Sequence, residues 1–536
     1  MNELAPRPPA RPDADCRKVA GWDRIREGYA QYLHDESRLA AGRVEAVHFP
    51  ASAEQAAAAL RSARQAGRRV AVSGARTGIT GAAVPLGAEE IISLESLKPR
   101  PQVRRTDDGE WTVRVGAGTT LAELADALDH GLCDYPDGKP GAPLFYPVDT
   151  TETTAQIGGT IATDASGART LFYGPTRRWV EWLRVVTPDG RLLDLRRGEV
   201  RAEDGVLFYR REDGSRAELR TPDLPVPATK HAAGYRLGRD MDAVDLFIGS
   251  EGTLGMIVEA ELCLAEKPAN RLFLTQFVSG AGQAMDLVTA CRADRSIRPL
   301  ALEYIGPRAL ALLRSKGRGT PAYMEVARLP DDAEAAVYVE IPFADEPELN
   351  RIHDALLGIL GSAGLDPARS WAGFAERDLE EMKRLRHAVP EAVNAIIGQR
   401  RADVPELHKI GTDMAVPVDR LSEMMAVYER RLAESALDYV IFGHIGDGHL
   451  HVNILPATAG ELARAEGLYM DFAREAVRLG GSVAAEHGIG RIKKPFLAVQ
   501  YSPEEIDAMR GVKRALDPSC TLNPGVLFDV APPPPG

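Results

Sequence analysis

From Val44 to Leu97 the alternation of apolar and polar positions predicts strand, helix, strand, loop and strand, in that order. The helix is expected in AEQAAAALRSARQAG, where Ser52 and Gln55 fit a capping box and Gly67 stands where a helix stops. RRVAVS alternates as a strand should and runs directly into GARTGITGAAVPLG, after which EEIISLESL reads as another apolar strand. Further along, WVEWLRVVTPDGRLLDL has the pattern of a hairpin closed by a Pro-Asp-Gly turn, and LFIGSEGTLGMIVEAELCL leads through Gly249, Gly252 and Gly255 into a strand. The second half mixes alternating segments such as AVYVEIPF with helical patterns such as NRIHDALLGILGSAG and LARAEGLYMDFAREAVRLGG, which predicts an α+β unit. There is no internal repeat and no heptad pattern. The Pro/Arg-rich residues 5–12 and the tail APPPPG offer little to bury and are expected to be unstructured.

Composition narrows the class of protein. A chain of 536 residues has room for two to four domains of roughly 150 residues. With 65 basic and 77 acidic side chains the net charge is −12, which argues against a surface made to neutralise nucleic-acid phosphates. No apolar run approaches the roughly 18–20 residues of a membrane span, and MNELAPRPPARPDADC lacks a signal-peptide core. A cytoplasmic protein is expected, with peripheral contact at the inner face of a membrane and a homodimer left open. Cys16, Cys133, Cys263, Cys291 and Cys520 are scattered, odd in number and form no CxxC pair, so free thiols are expected.

Glycine marks the candidate ligand loops. In GARTGITGAAVPLG, Gly74, Gly78 and Gly81 let backbone N–H groups approach an anion closely. The loop matches neither GxGxxG nor GxxxxGK[ST], and a strand follows it where a Rossmann site needs a helix. A tight turn between strands is the alternative. In YPVDTTETTAQIGGTIATDASGARTLFYG, Gly158 and Gly159 lie in a helix-like segment, where each costs about 1 kcal/mol relative to alanine. Either another backbone packs there or a flat or phosphorylated ligand does. With SEGTLG, three such loops at strand ends suggest one extended ligand lying across a sheet.

In the second half the chemistry is concentrated in YVIFGHIGDGHLHVNILP and SVAAEHGIGRIKKPFL. Strand periodicity puts His449, His451 and Asn453 on one face, with His444 just before the Gly-Asp-Gly turn, so four polar groups converge at a hairpin mouth. A lone buried histidine is usually a satisfied core residue. Three within eight residues, between apolar strands, with Glu486 and His487 elsewhere, make a donor set for zinc or manganese.

The three glycine-rich stretches, in this order, resemble the FAD-binding domain of the vanillyl-alcohol oxidase / p-cresol methylhydroxylase (PCMH) fold. Together with the C-terminal motifs, over residues 45–528, they resemble FAD-dependent D-2-hydroxy-acid dehydrogenases of the D-lactate, glycolate and D-2-hydroxyglutarate type. The resemblance implies an α+β fold: an extension (1–40), a PCMH-type FAD-binding domain of two α/β subdomains (41–268) and an α+β substrate cap (269–480). A segment returning to the FAD domain (481–528) and a disordered tail (529–536) complete it. It implies noncovalent FAD, since the first loop holds no His or Cys. In that loop Gly74, Ala75, Arg76, Thr77, Gly78, Thr80 and Gly81 would form the cradle, with Arg76, Thr77 and Gly78 on the pyrophosphate. Pro147, Asp149, Thr150, Gly158, Gly159, Thr163, Gly167, Glu251, Gly252, Ile257 and Asn523 would line the remainder, although Asn523 lies in an Asn-Pro-Gly that equally reads as a turn. Arg76 stands where the family has a small residue, and Asp164 and Ser166 where it has Asn and Gly.

By the same resemblance, His444, His451 and Glu486 would bind a divalent metal, zinc or manganese, and His449 replaces an Asn common in the family. His487 would take the hydroxyl proton of a 2-hydroxy acid while hydride passes to the flavin, and Asn453 would hold substrate or flavin. Arg386 and Lys409 would clamp the substrate carboxylate. Pro390 replaces a Thr of the 2-hydroxyglutarate enzymes, and the longer loop before Lys409 carries Arg400 and Arg401, so D-lactate is expected ahead of a diacid. Asp413 and Pro417 match the family, with a structural role open for both. The implied partners are the small acid and an electron acceptor, whether quinone, cytochrome or electron-transfer flavoprotein. The rivals are an ether-lipid-synthase-like transferase on the same flavin fold, and a metal-dependent hydrolase or sensor.

Overall fold

The computed structural model describes residues 3–6, 16–211, 213–317 and 329–530. Most of the Pro/Arg-rich stretch and the APPPPG tail lie outside them. The helix Ala53–Gln65 forms where expected, and the Ser52 side chain accepts from Gln55 N. The return bond of the cap differs by one position, because Gln55 Oε1 accepts from Ala51 N. The buried face of this helix is nearly all alanine (Ala56, Ala57, Ala59, Leu60, Ala63), so it lies closely between two sheets.

The first of these sheets has four strands in the order Arg17–Ala20, Ala46–Phe49, Glu90–Ser93, Val70–Ser73. It begins at Arg17, upstream of the boundary expected near residue 41. The start of the chain is also engaged, since Glu3–Leu4 pairs in parallel with Val206–Arg210. The second sheet is antiparallel, in the order Leu192–Arg196, Val180–Val186, Met256–Cys263, Trp111–Gly116, Gln102–Arg105. The closing segment near residue 522 is not a full strand. Leu522 makes an isolated bridge to Val70, with Val70 N donating to Thr521 O and Asn523 N to Val70 O.

The cap is a seven-stranded antiparallel sheet: Ser370–Gly373, Asn270–Val278, Ala335–Phe343, Ala301–Ile305, Tyr439–His444, His449–Ile454, Ile410–Gly411. Its strands alternate between two cores. Val278, Tyr304, Val337 and Ile441 face the helices Ala281–Ala293, Glu346–Ser362, Leu421–Ser435 and Ala459–Arg478. Phe277, Ile305, Ala336 and Val440 face the helices Pro307–Gly317 and Glu376–Arg400. The second face turns polar toward one end, where Glu303, His444, His449 and His451 replace apolar residues. No helix among the described residues is long and apolar enough to cross a membrane, and the five cysteines are free thiols.

The two halves dock through buried ion pairs. Arg169 reaches Glu340 of the cap at 2.9 Å, where Arg271 also binds at 3.3 Å. His231 joins Ser482 Oγ (2.8 Å) and the Tyr501 hydroxyl (2.9 Å), fastening the C-terminal segment. Burial, aided by Arg236 and Arg177, pushes this imidazole down to about 3 from its usual 6.5. The unfolded chain therefore takes up a proton near pH 6.5 that the folded chain refuses, so stability is lost as pH falls through that range. The melting temperature should drop between pH 7 and pH 5, and His231→Gln should flatten that slope while lowering stability at pH 8. Equal slopes in both proteins, followed by calorimetry, would refute the assignment.

Candidate active site

Three loops from the first half meet as the sequence suggests. Gly249 N donates to Ile161 O and Glu251 N to Ala162 O, joining the third stretch to the second. A Cβ on Gly74 would lie 3.4 Å from Gln156 Oε1, a buried acceptor without a partner, so the first stretch abuts the second. Gly158 and Gly159 then divide their roles. A Cβ on Gly158 would sit 2.7 Å from the Ala117 Cβ, so close packing explains that glycine. A Cβ on Gly159 or on Gly78 would meet no atom within 4 Å among the described residues outside the adjoining backbone, so these two keep backbone bare beside open space. That is the room a flat, phosphorylated cofactor such as FAD needs.

Several other residues of the expected cradle are engaged by the protein itself. Arg76 stacks on Tyr32 at 4.4 Å and donates to Gly74 O, turned onto its own loop. Thr80 Oγ1 donates to His487 O, and Gly81 packs against Leu39. Glu251 Oε1 and Oε2 accept from Ile489 N and Gly490 N, both at 2.8 Å. Asn523 accepts from Val72 N and donates to Glu251 O, so its amide links strand to loop. Gly252 faces that amide, Gly167 lies tight against Asp149 O, and Thr163 bonds back to Gly159 O. Asp149 lies 3.6 Å from Arg169, Thr150 bonds Glu152 O, and Pro147 and Ile257 are buried. Ala75 and Thr77 remain part-exposed. Asp164 has its reason in Arg177, whose backbone N and Nε reach its two oxygens at 2.9 and 3.0 Å.

In the cap, one ligand atom from each of His444, His449, His451 and Glu486 falls within 4.8 Å of the others. The hairpin pairs His444 with His449, while Glu486 arrives on the loop after the helix Ala459–Arg478. Glu303 Oε1 holds His444 Nδ1 at 2.6 Å, and its other oxygen lies 3.0 Å from Arg386 Nε. Burial raises the Glu303 carboxyl, but Arg386 and His444 outweigh it and hold the group below its usual range. For His444, burial lowers the imidazole and Glu303 and Glu486 raise it, leaving it at about 9. His451 is pushed well below its usual value by burial and by the neighbouring His449 and His444, and so is a neutral donor. The site thus offers imidazole and carboxylate donors suited to a divalent ion.

His487 has its Nδ1 3.1 Å from Asp413 Oδ1, off the line of a good hydrogen bond, and its side chain is 34% exposed. Asp413 also accepts from Glu486 N, His487 N and Lys493 Nζ. Against burial, His487 and Lys493 keep this carboxylate ionised well below the usual range. An ionised carboxylate behind Nδ1 leaves Nε2 as the nitrogen that accepts a proton.

The sequence missed three of these groups. Lys230, 9% exposed, bonds Glu486 Oε1 (2.8 Å) and Gly167 O (2.8 Å) and pairs with Asp447 (3.0 Å). Ser166 Oγ lies 3.4 Å from Glu486 Oε1. Glu303 had a visible signal, a lone carboxylate in the apolar strand ALEYI. Of the expected substrate clamp, Arg386 joins the cluster through Glu303, whereas Lys409 is half-buried with no carboxylate partner among the described residues. Burial and Arg38 lower the Lys409 ammonium. Asn453 is buried on the histidine face of its strand. Arg400 and Arg401 face away, onto Leu455 O with Asp438 and onto Pro405 O.

A family model described as an FAD binding domain matches residues 44–196, and one for the C-terminal domain of FAD linked oxidases matches residues 267–527. D-2-hydroxyglutarate dehydrogenase of Xanthomonas citri pv. viticola is 31% identical, over 90% of this chain and 89% of its own. D-lactate dehydrogenase of Anaerostipes hadrus is 27% identical over 95% and 94%, and the glycolate oxidase subunit GlcD of Bacillus subtilis 26% over 95% and 94%. A solved alkyldihydroxyacetonephosphate synthase shares the fold, with TM-score 0.60 at 17% identity, covering 90% of this chain and 76% of that one.

The glycine pair gives a direct test. Gly158→Ala should destabilise by about 1–3 kcal/mol through overpacking against Ala117. Gly159→Leu should leave the melting temperature of flavin-free protein within error yet lower the flavin bound after purification, read from the visible spectrum. Full flavin content in Gly159→Leu would remove Gly159 from the cofactor surface.

Proposed function

The chain belongs to the FAD-linked oxidases, and from that premise we propose that it oxidises a D-2-hydroxy acid to the 2-oxo acid with help from a divalent metal. One observation carries the reading: the loop of His487 is fastened to the flavin half through Glu251 and Thr80 and to the metal cluster through Asp413. In this reading the base would stand between cofactor and metal, beside the substrate.

The oxidation removes a hydroxyl proton and a Cα hydride. His487 Nε2 takes the proton, with Asp413 orienting the ring and stabilising the imidazolium that results. Arg386 meets the substrate carboxylate with the guanidinium face that Glu303 leaves free, and Lys409 adds a second positive charge. Asn453 contributes an amide to the same pocket wall. FAD, held noncovalently in this reading, supplies the hydride acceptor. A divalent ion on His444, His451 and Glu486, zinc or manganese, supplies charge stabilisation of the substrate oxygens. Reoxidation falls to a separate acceptor, a quinone, cytochrome or electron-transfer flavoprotein. With Arg400 and Arg401 turned away and Pro390 within a helix, a monocarboxylate such as D-lactate is favoured over a diacid.

The test is anaerobic. Purified protein should bleach at the flavin bands on addition of D-lactate, D-2-hydroxyglutarate or the achiral glycolate, and L-lactate should leave it yellow. Chelation should abolish bleaching and zinc or manganese restore it. His487→Ala should retain flavin and slow reduction by about 10²–10⁴-fold. A yellow protein that no acid reduces would sink the dehydrogenase reading and favour a transferase.

A further inference from the structure

We propose that His449 is a fourth protein ligand of the metal centre, binding through Nδ1, so that this chain presents three imidazoles and one carboxylate. The proposal rests on the metal-assisted reading above and goes beyond its ligand set of His444, His451 and Glu486.

His449 is fully buried, and among the described residues neither ring nitrogen has a hydrogen-bond partner of good geometry. A buried imidazole without a partner is costly, and a filler residue has no reason to carry two unsatisfied polar atoms. Its surroundings explain both. Nδ1 points into the cluster, 3.6 Å from Glu486 Oε1, while Nε2 lies 3.4 Å from Asp413 Oδ1.

A metal-bound histidine is normally anchored by an acceptor on its other nitrogen. His444 and His451 follow that plan, with Glu303 on the first ring's Nδ1 at 2.6 Å and Thr412 O on the second's at 3.2 Å, and His449 Nε2 has the Asp413 carboxylate beside it at 3.4 Å. The first two are left with Nε2 for the ion and the third with Nδ1. The His449 and His451 rings lie 4.4 Å apart at a steep angle, so their inward nitrogens converge instead of stacking.

The consequence reaches the base. Asp413 Oδ1 serves both His449 Nε2 and His487 Nδ1, so one carboxylate oxygen ties a metal ligand to the proton acceptor. Three nitrogens and one oxygen would give a divalent ion four protein donors, a set that zinc accepts.

The experiment uses the full chain with FAD bound, stripped with a chelator and titrated with Zn²⁺ and Co²⁺ against a chromophoric competitor. His449→Asn and the bulkier His449→Gln should each lose about 100-fold or more in Zn²⁺ affinity and alter the visible bands of the Co²⁺ protein. Their metal-free melting temperatures should match or exceed that of the parent, while the rise produced by Zn²⁺ shrinks. Affinity within about threefold of the parent with an unchanged Co²⁺ spectrum would overturn the proposal. His451→Ala separates the two levels: if it abolishes binding and the His449 variants do not, only the fourth ligand falls. If the unaltered protein binds neither ion, the metal-assisted reading falls with it.

Discussion

Asp413 is 1% exposed, and its two oxygens gather the amides of Glu486 and His487, the Lys493 ammonium and the imidazoles of His449 and His487. An isolated carboxylate in that position would cost several kcal/mol in lost hydration. The donors that offset this cost come almost entirely from the returning C-terminal loop, which has little regular structure of its own between Ser482 and Lys493. This buried charge therefore holds one side of the loop. Removing the carboxylate would leave two backbone amides and an ammonium buried without partners, and the base would lose its orientation together with its support.

The same loop is gripped from the opposite side. Glu251, in the first half of the chain, binds the amides of Ile489 and Gly490, and Gly490 passes so close to Thr80 that a Cβ would lie 2.2 Å from its carbonyl oxygen. Here burial outweighs the two amides and raises the carboxyl to about 7. Arg169 with Glu340, and Lys230 with Glu486, bind the halves further along the seam. Pairs of this kind contribute little net stability, because desolvation cancels most of the attraction. What they supply is alignment: two surfaces joined by apolar packing alone could slide, whereas these charges find partners in one register. The catalytic geometry exists only at that register.

The periodicity of the chain was enough to locate the cofactor half, because a capped alanine helix between short strands leaves a clear local pattern. Local pattern also put His449, His451 and Asn453 on one strand face, since side-chain alternation is a backbone property. Partnership was not legible. The Asn523 amide and the Thr80 hydroxyl suited a ligand by type, yet both are taken by chain segments hundreds of positions away. Lys230 sits in an unremarkable PATKHAAGY, and its importance arises from contact with residue 486. Gly158 and Gly159 make the point within two residues: identical in sequence, one is explained by a neighbour at position 117 and the other by open space.

The fixed charges of the site nearly cancel. Glu303, Asp413 and Glu486 face Arg386, Lys493 and Lys230, and Lys230 is shared with Asp447. A substrate anion approaching this balanced set gains little from it, so the deciding charge belongs to the histidines and to any cation they hold. Against burial, Glu303 and Glu486 raise the His444 imidazole to about 9, so positive charge is favoured at that point. His444, His451 and Glu486 would hold a divalent ion in the proposed reading, and it would supply positive charge at that point. His487 stands apart from these groups, with its side chain 34% exposed and its Nδ1 turned toward Asp413. Asp413 lies against both His449 and His487, so one buried carboxylate stands between the histidine cluster and the more exposed histidine beside it.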